Sequence, residues 1–217
     1  MKRLVIAIPF PDLNFRRVAV YLFVAAVLFF AVSPVLLANE CATDYERSDY
    51  PHWGSSDEYA DIRQETIANA VVSGLNVQNG RVVGGLWYDP FSGRNYQITD
   101  VKPDVDHLAS LAWVHERGGA CMTREQRRAI ANDPINLWAV HPSANRQKGA
   151  NVTGWLPANF GMCTPYLQQL KIVVEKYQLK MTAVDIETYN AAVIKCHDWR
   201  NGIKIEKAKN WFQRWFE

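Results

Sequence analysis

The stretch whose reading decides the fold is residues 104–148, DVDHLASLAWVHERGGACMTREQRRAIANDPINLWAVHPSANRQK. Three short pieces stand out in order: Asp104-Val105-Asp106-His107, Asn136-Leu137 and Asn145-Arg146-Gln147-Lys148. DVDH reads as a strand ending in Asp-His, and NLWAV (136–140) as a second short strand. Ser143 reads as the N-cap of a helix that carries Asn145 and Lys148. Between the strands, Thr123 followed three residues later by Gln126 is a capping box, and it opens a helix over 123–131. A strand, a second strand and a helix in this sequence make a hairpin that can gather four polar side chains around one point.

The chemistry such a point supports is metal-assisted phosphodiester hydrolysis. Asp106 and Asn145 offer hard oxygen ligands, suited to Mg²⁺ or Mn²⁺ and poorly suited to structural zinc. His107, next to Asp106 but pointing away from the cation, can take a proton from water, and an imidazole of ordinary pKa about 6.5 is well matched to a general base. The carbonyl of Asn136 is the expected partner for the other ring N–H, which would fix the tautomer. Arg146 and Lys148 are placed to hold neighbouring phosphates. Arg63 either holds a phosphate or braces the domain, with bracing the favoured role. Arg127, with Arg124 and Arg128, forms either a solvated face or a basic patch turned to nucleic acid. His115 and His141 read as polar residues satisfied by the backbone.

Working outward, 61–73 (DIRQETIANAVVS) reads as a short helix, and 81–99 as strands and turns punctuated by Pro90 and Gly93. Residues 164–177 and 183–197 read as two amphipathic helices. No charge occurs between Arg17 and Glu40. The apolar run 18–38 would span about 31 Å as a helix, enough to cross a bilayer. Basic residues precede it, which predicts a cytoplasmic N-terminus. Residues 1–38 are therefore a signal peptide or a membrane anchor, with cleavage favoured by Pro34 and the small residues Ser33 and Ala38. The domain proper is 39–203, expected in the periplasm or secreted, with 18–38 as a membrane tether if cleavage fails. Residues 204–217, with Trp211, Phe212, Trp215 and Phe216, read as an amphipathic C-terminal helix.

The whole chain of 217 residues carries 24 Lys+Arg and 22 Asp+Glu and is 48% hydrophobic, which excludes a disordered or low-complexity protein. Residues 1–38 hold four basic side chains (Lys2, Arg3, Arg16, Arg17) and one acidic (Asp12), leaving 20 basic against 21 acidic beyond them. Nucleic-acid contact must then come from a local patch rather than from the field of the whole molecule. Cys41, Cys121, Cys163 and Cys196 all follow the apolar run, show no CxxC pair, and fit two disulfides in an oxidising compartment. Three connectivities are open. We favour Cys163 with Cys196, stapling the two late helices, which leaves Cys41 with Cys121.

DVDH, NL and NRQK together resemble the HNH, or His-Me finger, endonucleases with their ββα-metal motif. The likeness is closest to exported nucleases related to the GmrSD C-terminal domain. It extends through YERSDYPHW (45–53), DIRQE (61–65), LWYDPFSG (86–93), LAWVHERGG (111–119), SANRQKG (143–149) and GWLP (154–157). The resemblance implies an α+β fold, divalent-metal-dependent cleavage of DNA leaving 5′-phosphates, His107 as base, Asp106 and Asn145 as metal ligands and Asn136 as orienting residue. Asp104 would lie just behind the metal. Two departures are Ser110, where the family commonly has proline, and the cysteine-free stretch GSSDEYAD (54–61). The expected partner is DNA read with little sequence specificity, with RNA as the alternative and no obligate protein partner. Two other functions compete: a membrane-tethered, non-catalytic DNA-binding or uptake protein, and a secreted antibacterial nuclease toxin.

Overall fold

The computed structural model describes residues 41, 44–51 and 53–201. The expected signal or anchor segment 1–38 and the expected C-terminal helix 204–217 lie outside the described residues. Among those described, no helix is long and apolar enough to cross a membrane. The architecture is mixed α+β, with two small antiparallel sheets and several helices.

Helix α1 (Ile62–Ala70) starts where the Asp61 side chain accepts from the Gln64 N–H. Its expected continuation to residue 73 is corrected: at Val71 the backbone becomes extended and strand β1 (Val71–Gln78) begins. The cause lies further on. Asn79 and Gly80 both take positive φ, 50° and 70°, the conformation of a tight hairpin turn. That turn folds β2 (Arg81–Asp89) back on β1, and cross-strand pairing captures Val71 opposite Trp87, with β-branched Val72 following in the same strand. Strand β3 (Arg94–Gln97) pairs with β2 to complete the sheet β1-β2-β3. Buried Gln64 then ties α1 to it, its Oε1 accepting the Val82 N–H at 3.0 Å.

The second sheet pairs β4 (Asp104–His107) with β5 (Leu137–Val140) antiparallel, Asp106 opposite Trp138 and His107 opposite Leu137. Between them lie α2 (Leu111–Glu116) and α3 (Arg124–Asn132), the latter opened by the expected Thr123–Gln126 capping box. Helix α4 (Pro142–Lys148) follows β5 directly. Its N-cap is His141 rather than Ser143, because the His141 Nδ1 accepts the Ser143 N–H and Pro142 opens the helix. Fully buried Asp89 anchors this junction: it accepts from the N–H groups of Phe91, Ser92 and His141, joining β2 to the start of α4. Helices α5 (Cys163–Lys176) and α6 (Ala183–Arg200) close the fold, linked by the Cys163–Cys196 disulfide. Cys41 and Cys121 are disulfide-bonded as well, so no cysteine is a free thiol. Two disulfides point to an oxidising, extracytoplasmic environment.

One core cluster lies directly beside the β4–β5 unit: Leu108, Val140, Phe91, Tyr166 and Leu167 around the disulfide. Phe91 meets Trp155 edge-on at 4.7 Å, an arrangement worth about 0.5–1.5 kcal/mol beyond the area it buries. A separate polar clamp fixes α6. Arg117 donates to both Asp185 carboxylate oxygens at 3.0 and 2.9 Å, and Trp113 Nε1 and Thr182 add further donors. Burial opposes the charge on Asp185, but these hydrogen bonds outweigh it and hold the carboxyl well below the usual carboxylate range. Because the folded pKa is depressed, this stability is fully present above the unfolded value of about 3.9 and is lost as pH falls toward the folded one. Urea denaturation should lose roughly 2–3 kcal/mol between pH 5 and pH 2 through this group, and Asp185→Asn should flatten that slope. An unchanged acid slope in the variant would remove Asp185 from the account.

Candidate active site

Neighbouring residues on a strand point to opposite faces, so β4 sorts its polar residues into two groups. Asp104 and Asp106 share one face, and α4 packs against it. Asp106 is 5% exposed, and the Lys148 ammonium sits 3.2 Å from its Oδ1. Asn145 Nδ2 donates to Asp104 Oδ2 at 3.0 Å. Burial is the main cause that raises the Asp106 pKa to about 6; Lys148 pulls it down and Asp104 pushes it up. Asp104, Asp106, Asn145 and Lys148 are thus one electrostatic unit, assembled from a strand and a helix about forty residues apart.

Lys148 has a different position from the one expected of a phosphate holder. Its side chain is fully buried, and besides Asp106 it donates to the carbonyls of His107 at 3.0 Å and Leu108 at 3.4 Å. Those two carbonyls and one carboxylate draw the ammonium inward. It locks α4 onto the end of β4. Arg146, two residues earlier, is exposed and forms no ion pair among the described residues.

Asp106 Oδ2 is buried without a hydrogen-bond partner. Asn145 donates through Nδ2, which leaves its Oδ1 as the acceptor end of the amide. A buried carboxylate oxygen lacking a donor is costly unless something positive completes it. Two oxygen donors of this kind suit a hard divalent cation with water filling its other positions. No group of three or more His, Cys, Asp or Glu able to hold a metal occurs among the described residues.

His107 lies on the other face of β4. Its ring is 5.7 Å from that of Trp53 and nearly parallel, at 18°. Its Nε2 is 2.9 Å from the Ala131 carbonyl at the end of α3. A carbonyl can only accept, so Nε2 carries a proton and donates to it. The expected orienting contact from the Asn136 carbonyl is therefore corrected. That carbonyl accepts the Leu108 N–H instead, because β4 and β5 are still within pairing distance there.

Asn136 acts on the loop after the histidine. Completely buried, it accepts the Ala109 N–H at 2.8 Å and donates to the carbonyls of Ala109 and Ile130 at 3.4 and 3.3 Å. It thereby joins the segment after His107 to the end of α3, from which Ala131 reaches the imidazole. Asn136→Ala should cost about 1–3 kcal/mol, the penalty for a buried N–H left unpaired, measured by urea denaturation. A loss under about 0.5 kcal/mol would show that the loop is held by other contacts.

The remaining basic residues divide. Arg63 donates weakly to the Pro103 carbonyl, 3.5 Å away, just ahead of β4. Arg127 engages the Asp49 carboxylate at 3.3 Å and the Met122 carbonyl at 3.0 Å, bracing the N-terminal segment beside Tyr50. It is not brought to the Asp106 cluster. His115 is buried beside Tyr50, and its Nδ1 lies 3.2 Å from the phenol oxygen. Sequence reasoning missed the Ala131 carbonyl, the Trp53 stack and the Asp89 anchor. Two of them left a trace, Asp89 in the quoted LWYDPFSG and Trp53 in the quoted YERSDYPHW.

The chain matches no protein-family model, no curated protein and no solved structure.

Proposed function

We propose that this protein is an exported, metal-dependent HNH endonuclease that hydrolyses phosphodiester bonds of DNA with little sequence specificity. The observation that carries the reading is the strand–strand–helix unit in which buried Asp106 keeps one oxygen without a donor while Asn145, on the helix that follows, is bonded to Asp104 on the same face of the strand. Asp106 and Asn145 would hold Mg²⁺ or Mn²⁺, which when bound supplies Lewis-acid stabilisation of the leaving 3′ oxygen. His107 would take the proton from the attacking water while its Nε2–H donates to Ala131, which keeps the imidazole oriented and its charge facing a carbonyl. Water oxygen bonds to phosphorus, the bond to the 3′ oxygen breaks, and a 5′-phosphate end results. Arg146, exposed on α4, holds an adjacent phosphate. Lys148 and Asn136 position the machinery without touching substrate. Segment 18–38 serves as the export signal or tether.

Supercoiled plasmid incubated with the purified protein should be nicked and then linearised with Mg²⁺ or Mn²⁺, and protected by EDTA. Plasmid, single-stranded DNA and RNA all left intact across both metals would end the nuclease reading.

A further inference from the structure

A cavity of about 230 Å³ opens between α1, β2 and the segment leading into β4. Its floor is aliphatic, with Ile67, Val82 and Ile98, and its rim is cationic, with Arg63, Arg81 and Lys102. No carboxylate among the described residues lines it. None of the three cations is ion-paired among the described residues, and Arg81 and Lys102 are exposed. Three like charges gathered without a counter-charge repel one another, and an anion relieves that repulsion. Simple salt would satisfy a flat basic patch equally well, but an apolar floor beneath the rim selects an anion that also carries a flat, weakly polar body.

The position relative to the candidate active site narrows the ligand further. Pro103 lines the cavity, and Asp106 is three residues along the same extended segment, so their Cα atoms are at most about 11 Å apart. That is within the reach of a few nucleotides along one strand. We propose that the cavity receives one unpaired nucleotide of the substrate strand a few positions from the cleaved bond, base on the aliphatic floor and flanking phosphates on Arg63, Arg81 and Lys102. A paired duplex is too wide to place a base there, so the pocket makes single-stranded or locally opened nucleic acid the preferred substrate. This inference rests on the nuclease reading.

The test measures binding apart from chemistry. Full-length protein in EDTA is titrated by fluorescence anisotropy with a labelled single-stranded oligonucleotide and with the same sequence as a blunt duplex. The single strand should bind at least about tenfold more tightly. The double variant Arg81→Ala/Lys102→Ala should lose about tenfold in affinity, and its dependence of log K on log salt should be shallower by about 1.4, two phosphate contacts at about 0.7 each. Lys171→Ala, which removes an exposed lysine paired with Glu175 on α5, serves as the control and should change neither. A double variant that binds like the parent, or a duplex bound as tightly as the single strand, overturns the proposal. Cleavage kinetics with Mn²⁺ separate the two readings. A parent that cleaves, with KM unmoved in the double variant, sinks the pocket alone. A parent that never cleaves, but whose single-strand affinity depends on Arg81 and Lys102, sinks the nuclease reading and leaves the pocket standing.

Discussion

His107→Ala should lower the rate of plasmid cleavage by about 10²–10⁴-fold, the range that a positioned general base contributes. The fold should survive the change. Truncation removes the hydrogen bond to the Ala131 carbonyl at 2.9 Å and the stack against Trp53, a cost of about 1–3 kcal/mol against a total stability of about 5–15. Divalent-cation affinity should stay unchanged, because Asp106 and Asn145 keep their positions on the other face of β4. Measuring nicking rate, melting temperature and Mn²⁺ affinity on the same preparation separates these effects. Normal turnover in a folded alanine variant would falsify the assignment of the base. Loss of cleavage together with loss of cation binding would instead mean that His107 belongs to the ligand set.

The second large effect is on stability. Lys148→Ala removes the ammonium that faces buried Asp106 and takes a donor from the carbonyls of His107 and Leu108. Breaking a buried pair from one side leaves an uncompensated charge and costs about 3–5 kcal/mol. For a domain of this size that is a fall in melting temperature of about 6–20 °C. The cost should shrink in the double variant Asp106→Asn/Lys148→Met, where neither charge is stranded and the aliphatic stem still fills its space. A single variant within about 1 kcal/mol of the parent would mean that solvent reaches the pair. Arg146→Ala provides the contrast: exposed and outside any ion pair among the described residues, it should leave stability within about 0.5 kcal/mol while weakening nucleic-acid binding.

Much of the frame is legible in the order of residues alone. The capping box at Thr123 and Gln126 is a local rule satisfied by local atoms, and it holds. The two late helices form where expected and the Cys163–Cys196 bridge joins them, but the second is not amphipathic: Val184, Ile186, Val193 and Ile194 face water while Asp185 and Ala192 are buried. The strand DVDH shows as alternation and the second strand as a short apolar run, LWAV; its expected start at Asn136 is corrected to Leu137, because Asn136 ends a 3-10 turn. The limit of helix α1 is not legible, because Val71 and Val72 fit either a helix end or a strand, and a turn at Asn79-Gly80 eight residues away settles it.

The candidate site divides the same way. Sequence alone determined which residues are chemically competent: an imidazole beside a carboxylate, an amide on a following helix, and a polar residue between them. Spacing along the chain carries that information, because strand and helix periods are local properties. Only the tertiary structure decided what each polar atom meets. It turned Lys148 inward to neutralise Asp106, gave the imidazole the Ala131 carbonyl in place of that of Asn136, and left Arg146 facing water. Those outcomes depend on how α3 and α4 pack against β4, and a buried polar group takes whichever partner packing brings within about 3 Å.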